Sequence, residues 1–467
     1  MDFNGIRKYK YHWPDLDLTK THAWKTSLNG DFFVRELPET KENLANDSRW
    51  PAFFPAPICL VTTSDGSKVA MERSVGATIV NRFPYILALS FCTELISDRH
   101  YPRKKFMKMI EQSKTVNVQF LPPGKNFDKA LDAVAEFSDD QIYDRITASG
   151  LKVRTALTNP APVFEDSYMV YEAKLVKPGK DFLGGKIFEN PWKDVDSHRL
   201  YFFEINAIQL REDIAGCKSQ VCWRSLPAWN PLFKDLGFLT PTDKNKVFKQ
   251  KYQKGYTPHY RFPSSSTTAF EFDELQNGMA VKYLPPLPKD QVEVDNDRAR
   301  WPCFFPSPLS FVNTWADDGN PNIMPCGSTM VVSRHPMTIA VCIAYAAINE
   351  RYKPRATLNI IKKTKKFGCG VPYINEKIID AIQFSGNISF SEDPDKIKNA
   401  GLEWYTDEDV PILPALPINF ICQVTKEVML GTHIMFLGEV KKIYIRSDVN
   451  FENPMEWFPC SEVKKAD

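Results

Sequence analysis

Three basic side chains, Arg351, Lys353 and Arg355, flank Pro354 just ahead of an apolar pattern at helical spacing, and Thr357 follows them. Proline suits the first turn of a helix, so this arrangement predicts a helix N-terminus at that point. Unsatisfied N–H groups and the positive end of the helix dipole favour an anion there, and arginine adds bidentate donors. The chemistry on offer is capture of a phosphate-like group; the plainer reading is a solvated basic turn. His198 and His433 bring the side chain that titrates near neutrality, and each is followed six residues later by an acid, Glu204 and Glu439. The histidines suit ligand binding or proton donation as well as a structural role, and Glu439 reads as the structural partner of a basic group. Cys217 and Cys222 are the only close cysteine pair, with no second pair nearby, so no metal site is expected.

The elements that must hold these residues are written twice. "RWPAFFPAP" from Arg49 returns as "RWPCFFPSP" from Arg300, with seven of nine residues matching. Upstream, "LNGDFFVRELP" from Leu28 meets "LQNGMAVKYLP" from Leu275; downstream, Pro102 and Arg103 meet Pro354 and Arg355, and His198 and Glu204 meet His433 and Glu439. A period this long is a duplicated domain and not a solenoid. The expected division is residues 1–245 and 246–467, with the proline-rich stretch leading each copy into its first core strand.

Each copy then reads alike. An apolar β-branched run ("ICLVTT", "LSFVNT") is followed by an Asp-Gly turn, a second run ("ATIVN", "TMVVS"), an Arg-x-Pro turn and a third run ("YILALSF", "MTIAVCIAY"). Helical spacing follows, with Phe106, Met107 and Ile110 in one copy and Leu358 and Ile361 in the other. Further strands close each copy. Dominant strands with one helix inserted midway predict a mainly β (α+β) fold of two antiparallel, Greek-key-like barrels with inserted helices.

At 467 residues the chain has room for two such domains, and 59 Lys plus Arg against 57 Asp plus Glu leave no basic stripe for nucleic acid. The same balance disfavours a membrane surface, and no apolar run is long enough to span one, so a cytoplasmic protein is expected. Most cysteines sit inside apolar runs, where buried reduced thiols are expected.

In order and spacing these segments resemble the flavin-reductase-like proteins, the FMN-binding split barrels. "LGTHIMFLGEV" (430–440), "NIMPCGSTMVVSRHPMTIAV" (322–341) and "KPRATLNI" (353–360) carry the resemblance, which covers most of both halves and is sharper in the second. It implies an FMN-dependent oxidoreductase, with FAD as the alternative flavin, that takes hydride transiently from NAD(P)H and passes electrons to an acceptor. It also implies roles: Arg351, Lys353, Arg355 and Thr357 at the flavin phosphate; Asn322, Pro325, Cys326, Ser328 and Thr329 along the ring and ribityl chain; His433 near the flavin as a catalytic group. Family members commonly pair two barrels, so the tandem chain is expected to form an intramolecular pseudo-dimer, with further homodimerisation open. Other readings are an enzyme for one small organic substrate and a non-catalytic flavin-binding or ligand-binding tandem barrel.

The first copy departs from the pattern. Met71, Glu72 and Arg73 replace the polar turn, Lys105 stands for Thr357, and Phe203 stands for Gly438. Loss of its flavin, or a different ligand, is the expectation. Its insert at 178–196, with Trp192, and the following stretch from Cys217, with Trp223 and Trp229, are expected to cover a pocket or to cement the barrels.

Overall fold

The computed structural model describes residues 59–74, 76–81, 84–95, 102–121, 125–179, 190–211, 310–345, 354–372, 376–416 and 418–446. It also describes the backbone of short strands at 9–10, 26–29, 32–36, 219–222, 273–275, 279–283, 456–457 and 462–465. The proline-rich stretches, the expected boundary region, Cys217, Trp223 and Trp229 lie outside the described residues.

The alternating apolar runs form two antiparallel sheets, one of ten strands and one of nine. In the first half the strands are β1 (Cys59–Ser64), β2 (Val69–Ser74), β3 (Gly76–Asn81), β4 (Ile86–Cys92), β5 (Thr115–Phe120), β6 (Met169–Leu175) and β7 (His198–Arg211). In the second they are β8 (Ser310–Trp315), β9 (Pro321–Cys326), β10 (Thr329–Arg334), β11 (Met337–Ala344), β12 (Lys366–Gly370), β13 (Ile418–Met429) and β14 (His433–Arg446). The spatial orders, β2-β1-β5-β6-β7-β4-β3 and β9-β8-β12-β13-β14-β11-β10, are the same path walked twice. The chain therefore folds as two split barrels of the mainly β class.

Helices stand at equivalent places: α1 (Lys104–Ser113), α2 (Lys125–Glu136) and α3 (Arg145–Ser149) in the first half, α4 (Ala356–Thr364), α5 (Glu376–Asn387) and α6 (Lys396–Asn399) in the second. The helical spacing read from sequence buries Phe106, Met107 and Ile110 on α1, and Leu358 and Ile361 on α4.

One feature of the topology was not written in the repeat. The hairpin Thr26–Asn29/Phe32–Glu36 joins the second sheet, its inner strand pairing with β14. The equivalent hairpin Asp273–Leu275/Met279–Tyr283 joins the first sheet through β7. Each barrel thus receives a hairpin from the other half. Each has its own apolar interior, and a third cluster spans the seam, Val80, Ile86, Leu200 and Phe202 packing with Met330, Val332, Met435 and Leu437.

Candidate functional site

The start of α4 is fixed by Arg355. Its backbone is extended and caps the helix, its N–H donates to Ala344 O at the end of β11 (3.3 Å), and its Nη1 donates to Gly386 O on α5 (3.2 Å). Pro354 lies one residue outside the cap and not in the first turn, because the cap position spends its N–H on β11 and proline has none to give. The first half repeats the device, Arg103 N–H donating to Cys92 O (3.0 Å).

Thr357, 2% exposed in the first turn of α4, meets Asn322 from β9. The fully buried Asn322 amide bonds the hydroxyls of Thr357 (2.9 Å) and Thr314 (3.2 Å) through Nδ2, and its Oδ1 has no partner among the described residues. Hydroxyls donate or accept, so turning the amide over would exchange the two ends. Either way, one end is held by two threonines and the other is a buried polar atom without a partner among the described residues. Such an atom costs about 1–3 kcal/mol unless something bonds it. A polar ligand edge at the helix start fits this amide.

The neighbouring predicted residues are largely spent on closing the barrel between β9 and β10. Pro325 is buried on β9 opposite Phe311. The Cys326 thiol donates to Cys342 O (3.6 Å), and burial raises its pKa. The Thr329 hydroxyl pairs with that of Ser310 (2.7 Å), and the half-buried Ser328 accepts from Cys342 N–H through its carbonyl (3.0 Å). Arg351 and Lys353 lie outside the described residues.

His433 opens β14 directly across from Ala344, the residue that receives the Arg355 N–H, so the ladder brings the imidazole and the helix cap to one strand end. The approach turn needs Gly431 at φ 90, a left-handed conformation that favours glycine. The Asn81 amide donates to Pro84 O (2.8 Å), which directs its Oδ1 at Thr432; the Thr432 hydroxyl donates to that oxygen (2.9 Å). With its single proton so used, Thr432 Oγ1 accepts from His433 Nδ1–H (2.8 Å), so the neutral ring carries its proton on Nδ1. The counterpart His198 is 8% exposed, and burial together with Arg334 pushes its pKa down to about 3. The half-buried His433 is the accessible member of the pair. Glu439 pairs with Lys441 (2.5 Å), as a structural acid does.

Lys396 was not singled out in the sequence. It begins α6, is only 3% exposed, and has no side-chain hydrogen bond or ion pair among the described residues. Burial first, then repulsion from Arg355, lowers its pKa to about 7, against the pull of Asp393 and Glu392. Among the described residues, no three potential metal ligands cluster and no helix is long and apolar enough to cross a membrane.

Among solved structures, the chain is similar to flavoredoxin from Methanosarcina acetivorans (17% identity, 32% of this chain and 73% of that one, TM-score 0.27). It is also similar to flavoredoxin of Desulfovibrio vulgaris (Miyazaki F) (23%, 30% and 69%, TM-score 0.26) and to nitrilotriacetate monooxygenase component B from Bacillus cereus (16%, 34% and 84%, TM-score 0.28). No curated protein matches it in sequence. Residues 302–463 match the flavin reductase like domain, and Asn322, Arg355, Thr357, Lys396 and His433 all lie within the matched segment.

Proposed function

We propose that the chain is an FMN-dependent oxidoreductase whose flavin is held by the second barrel. The observation that carries this reading is the buried Asn322 amide, bound on one side to Thr314 and Thr357 and without a partner on the other among the described residues, inside the matched segment. Arg355 and Thr357 would supply donors to the phosphate, and Asn322 a polar contact at the adjoining sugar chain or ring edge. Pro325, Cys326, Ser328 and Thr329 would form the wall of the slot. Bound FMN would supply two-electron chemistry, accepting hydride from NAD(P)H and releasing electrons to an acceptor. His433, with Nδ1–H fixed on Thr432, would hold its exchangeable proton on Nε2 at the open side of the site.

The test is the visible spectrum of the purified chain, with the released cofactor identified by mass, followed by anaerobic addition of NADH or NADPH. The expected result is retained or readily rebound FMN that bleaches with one of the two. Asn322→Ala should weaken FMN about tenfold, the worth of one lost polar contact. A chain that takes up no FMN would sink the proposal. Retained FMN that neither nicotinamide bleaches would make the protein a flavin binder.

A further inference from the structure

The two halves carry two cations at equivalent positions and treat them differently. By strand register Arg103 corresponds to Arg355, Glu72 on β2 to Met324 on β9, and Arg145 on α3 to Lys396 on α6. In the first half, the fully buried Glu72 carboxylate accepts from Arg145 Nη1 (2.6 Å) and lies 3.3 Å from Arg103 Nε. Its second oxygen accepts from Arg73 N–H (2.9 Å). Arg145 is completed by the carbonyls of Met71 and Phe137. In the second half a cation stands at each equivalent position and the carboxylate position is changed: Met324 is a core residue, and Lys396 lies buried within reach of the Arg355 charge, with Asp393 and Glu392 as its acidic neighbours and no side-chain hydrogen bond or ion pair of its own among the described residues.

A buried ammonium beside a guanidinium is costly unless a negative group joins them. The first half shows what that group looks like, an oxyanion held jointly by the residues that open α1 and α3. We infer that the second half holds one oxyanion of the phosphate class between Arg355 and Lys396, in the place that the first half fills with its own Glu72 carboxylate. Each chain consequently takes one such ligand, and the first barrel is closed to it by an internal substitute. Where the oxyanion is the end of a flavin nucleotide, the inference rests on the reading above; a free phosphate or sulfate would use the same donors.

The full-length chain is tested as wild type, Lys396→Met and Met324→Glu. Thermal unfolding is followed against sulfate at constant ionic strength, and binding of FMN and of riboflavin is followed by quenching of flavin fluorescence. The expected wild-type result is a sulfate-dependent rise in Tm and one FMN per chain. Lys396→Met should lose the specific sulfate response and weaken FMN at least tenfold while leaving riboflavin unchanged. Met324→Glu, which copies the first half into the second, should do the same. Wild-type sulfate and FMN responses surviving in Lys396→Met would overturn the inference and leave the flavin reading standing. A Lys396-dependent sulfate response in a chain that binds neither flavin would uphold the inference and overturn the flavin reading. Two FMN per chain would overturn the closure of the first barrel.

Discussion

Lys396 is held at a pKa of about 7 by burial and by Arg355, with Glu392 and Asp393 as its other charged neighbours. An anion bound to it is bound to the ammonium form, so above pH 7 the free protein must take up a proton to bind. Sulfate affinity should therefore fall as pH rises through 7, by at most about tenfold per unit. Sulfate is the right probe because its own charge is constant over this range, whereas a phosphate ester titrates near neutrality. Lys396→Arg, whose guanidinium stays charged, should bind with a flat profile between about pH 6 and 9; an equal slope in both proteins, read from Tm against sulfate at each pH, would show that another group titrates. Arg355 and Thr357 stood out in the sequence because they flank a helix start, and Asn322 only through the family resemblance. Lys396 was missed because nothing local marks it. The signal was in the repeat: "DRITASGL" from Asp144 aligns with "DKIKNAGL" from Asp395, keeping a basic residue at the same position. Even so, that alignment could not say the position is buried.

At the level of elements, Phe203 in place of Gly438 looked like decay of a ligand motif in the first copy, and packing gives it another reason. A Cβ on Gly438 would stand 2.5 Å from the Phe367 ring and 2.8 Å from Cys422 Cβ. In register, Phe367 and Cys422 of β12 and β13 correspond to Val116 and Ala173 of β5 and β6. The large ring comes from β12 in one barrel and from β7 in the other, so interior volume is conserved while its source strand changes. Gly438→Ala should destabilise the chain by about 1–3 kcal/mol through overpacking. Adding Phe367→Val should recover most of that loss, since it trims the ring that the new methyl strikes. Denaturant midpoints of both singles and the double give the coupling, and strict additivity would refute the exchange. The succession of strands and the helix faces were readable from apolar periodicity, whereas the spatial order of the strands was not, because periodicity says nothing of which strands pair. The partner of each N-terminal hairpin was not, because hairpin sequences fix their own turn and faces but not which sheet edge receives them.

Across the whole molecule, the seam is where the two barrels depend on each other, and its polar contacts repeat with approximate twofold symmetry. Thr432 of the second half donates through N–H (3.0 Å) and hydroxyl (2.9 Å) to Asn81 of the first. At the equivalent place Ser197 meets Ser333 (2.9 Å), and Ser90 donates to Val332 O (2.5 Å) nearby. The two histidines sit on these two clusters, one half-exposed at the candidate site and the other sealed. His198, bonded through Nδ1 to Ser197 (2.9 Å), titrates at about 3 in the fold against 6.5 when unperturbed. Between those values the unfolded chain binds more protons than the folded one, so stability contributed by the neutral imidazole is present above pH 6.5 and is lost as pH falls toward 3. At pH 4.5 the loss from this single group is roughly 2–3 kcal/mol. His198→Gln, which keeps a polar side chain at the seam without the titration, should flatten the acid limb of the stability profile by that amount. An acid limb left unchanged by His198→Gln, measured as denaturation midpoints between pH 4.5 and 7, would mean that the imidazole sealed at the seam does not set it and that the asymmetry of the barrels does not extend there.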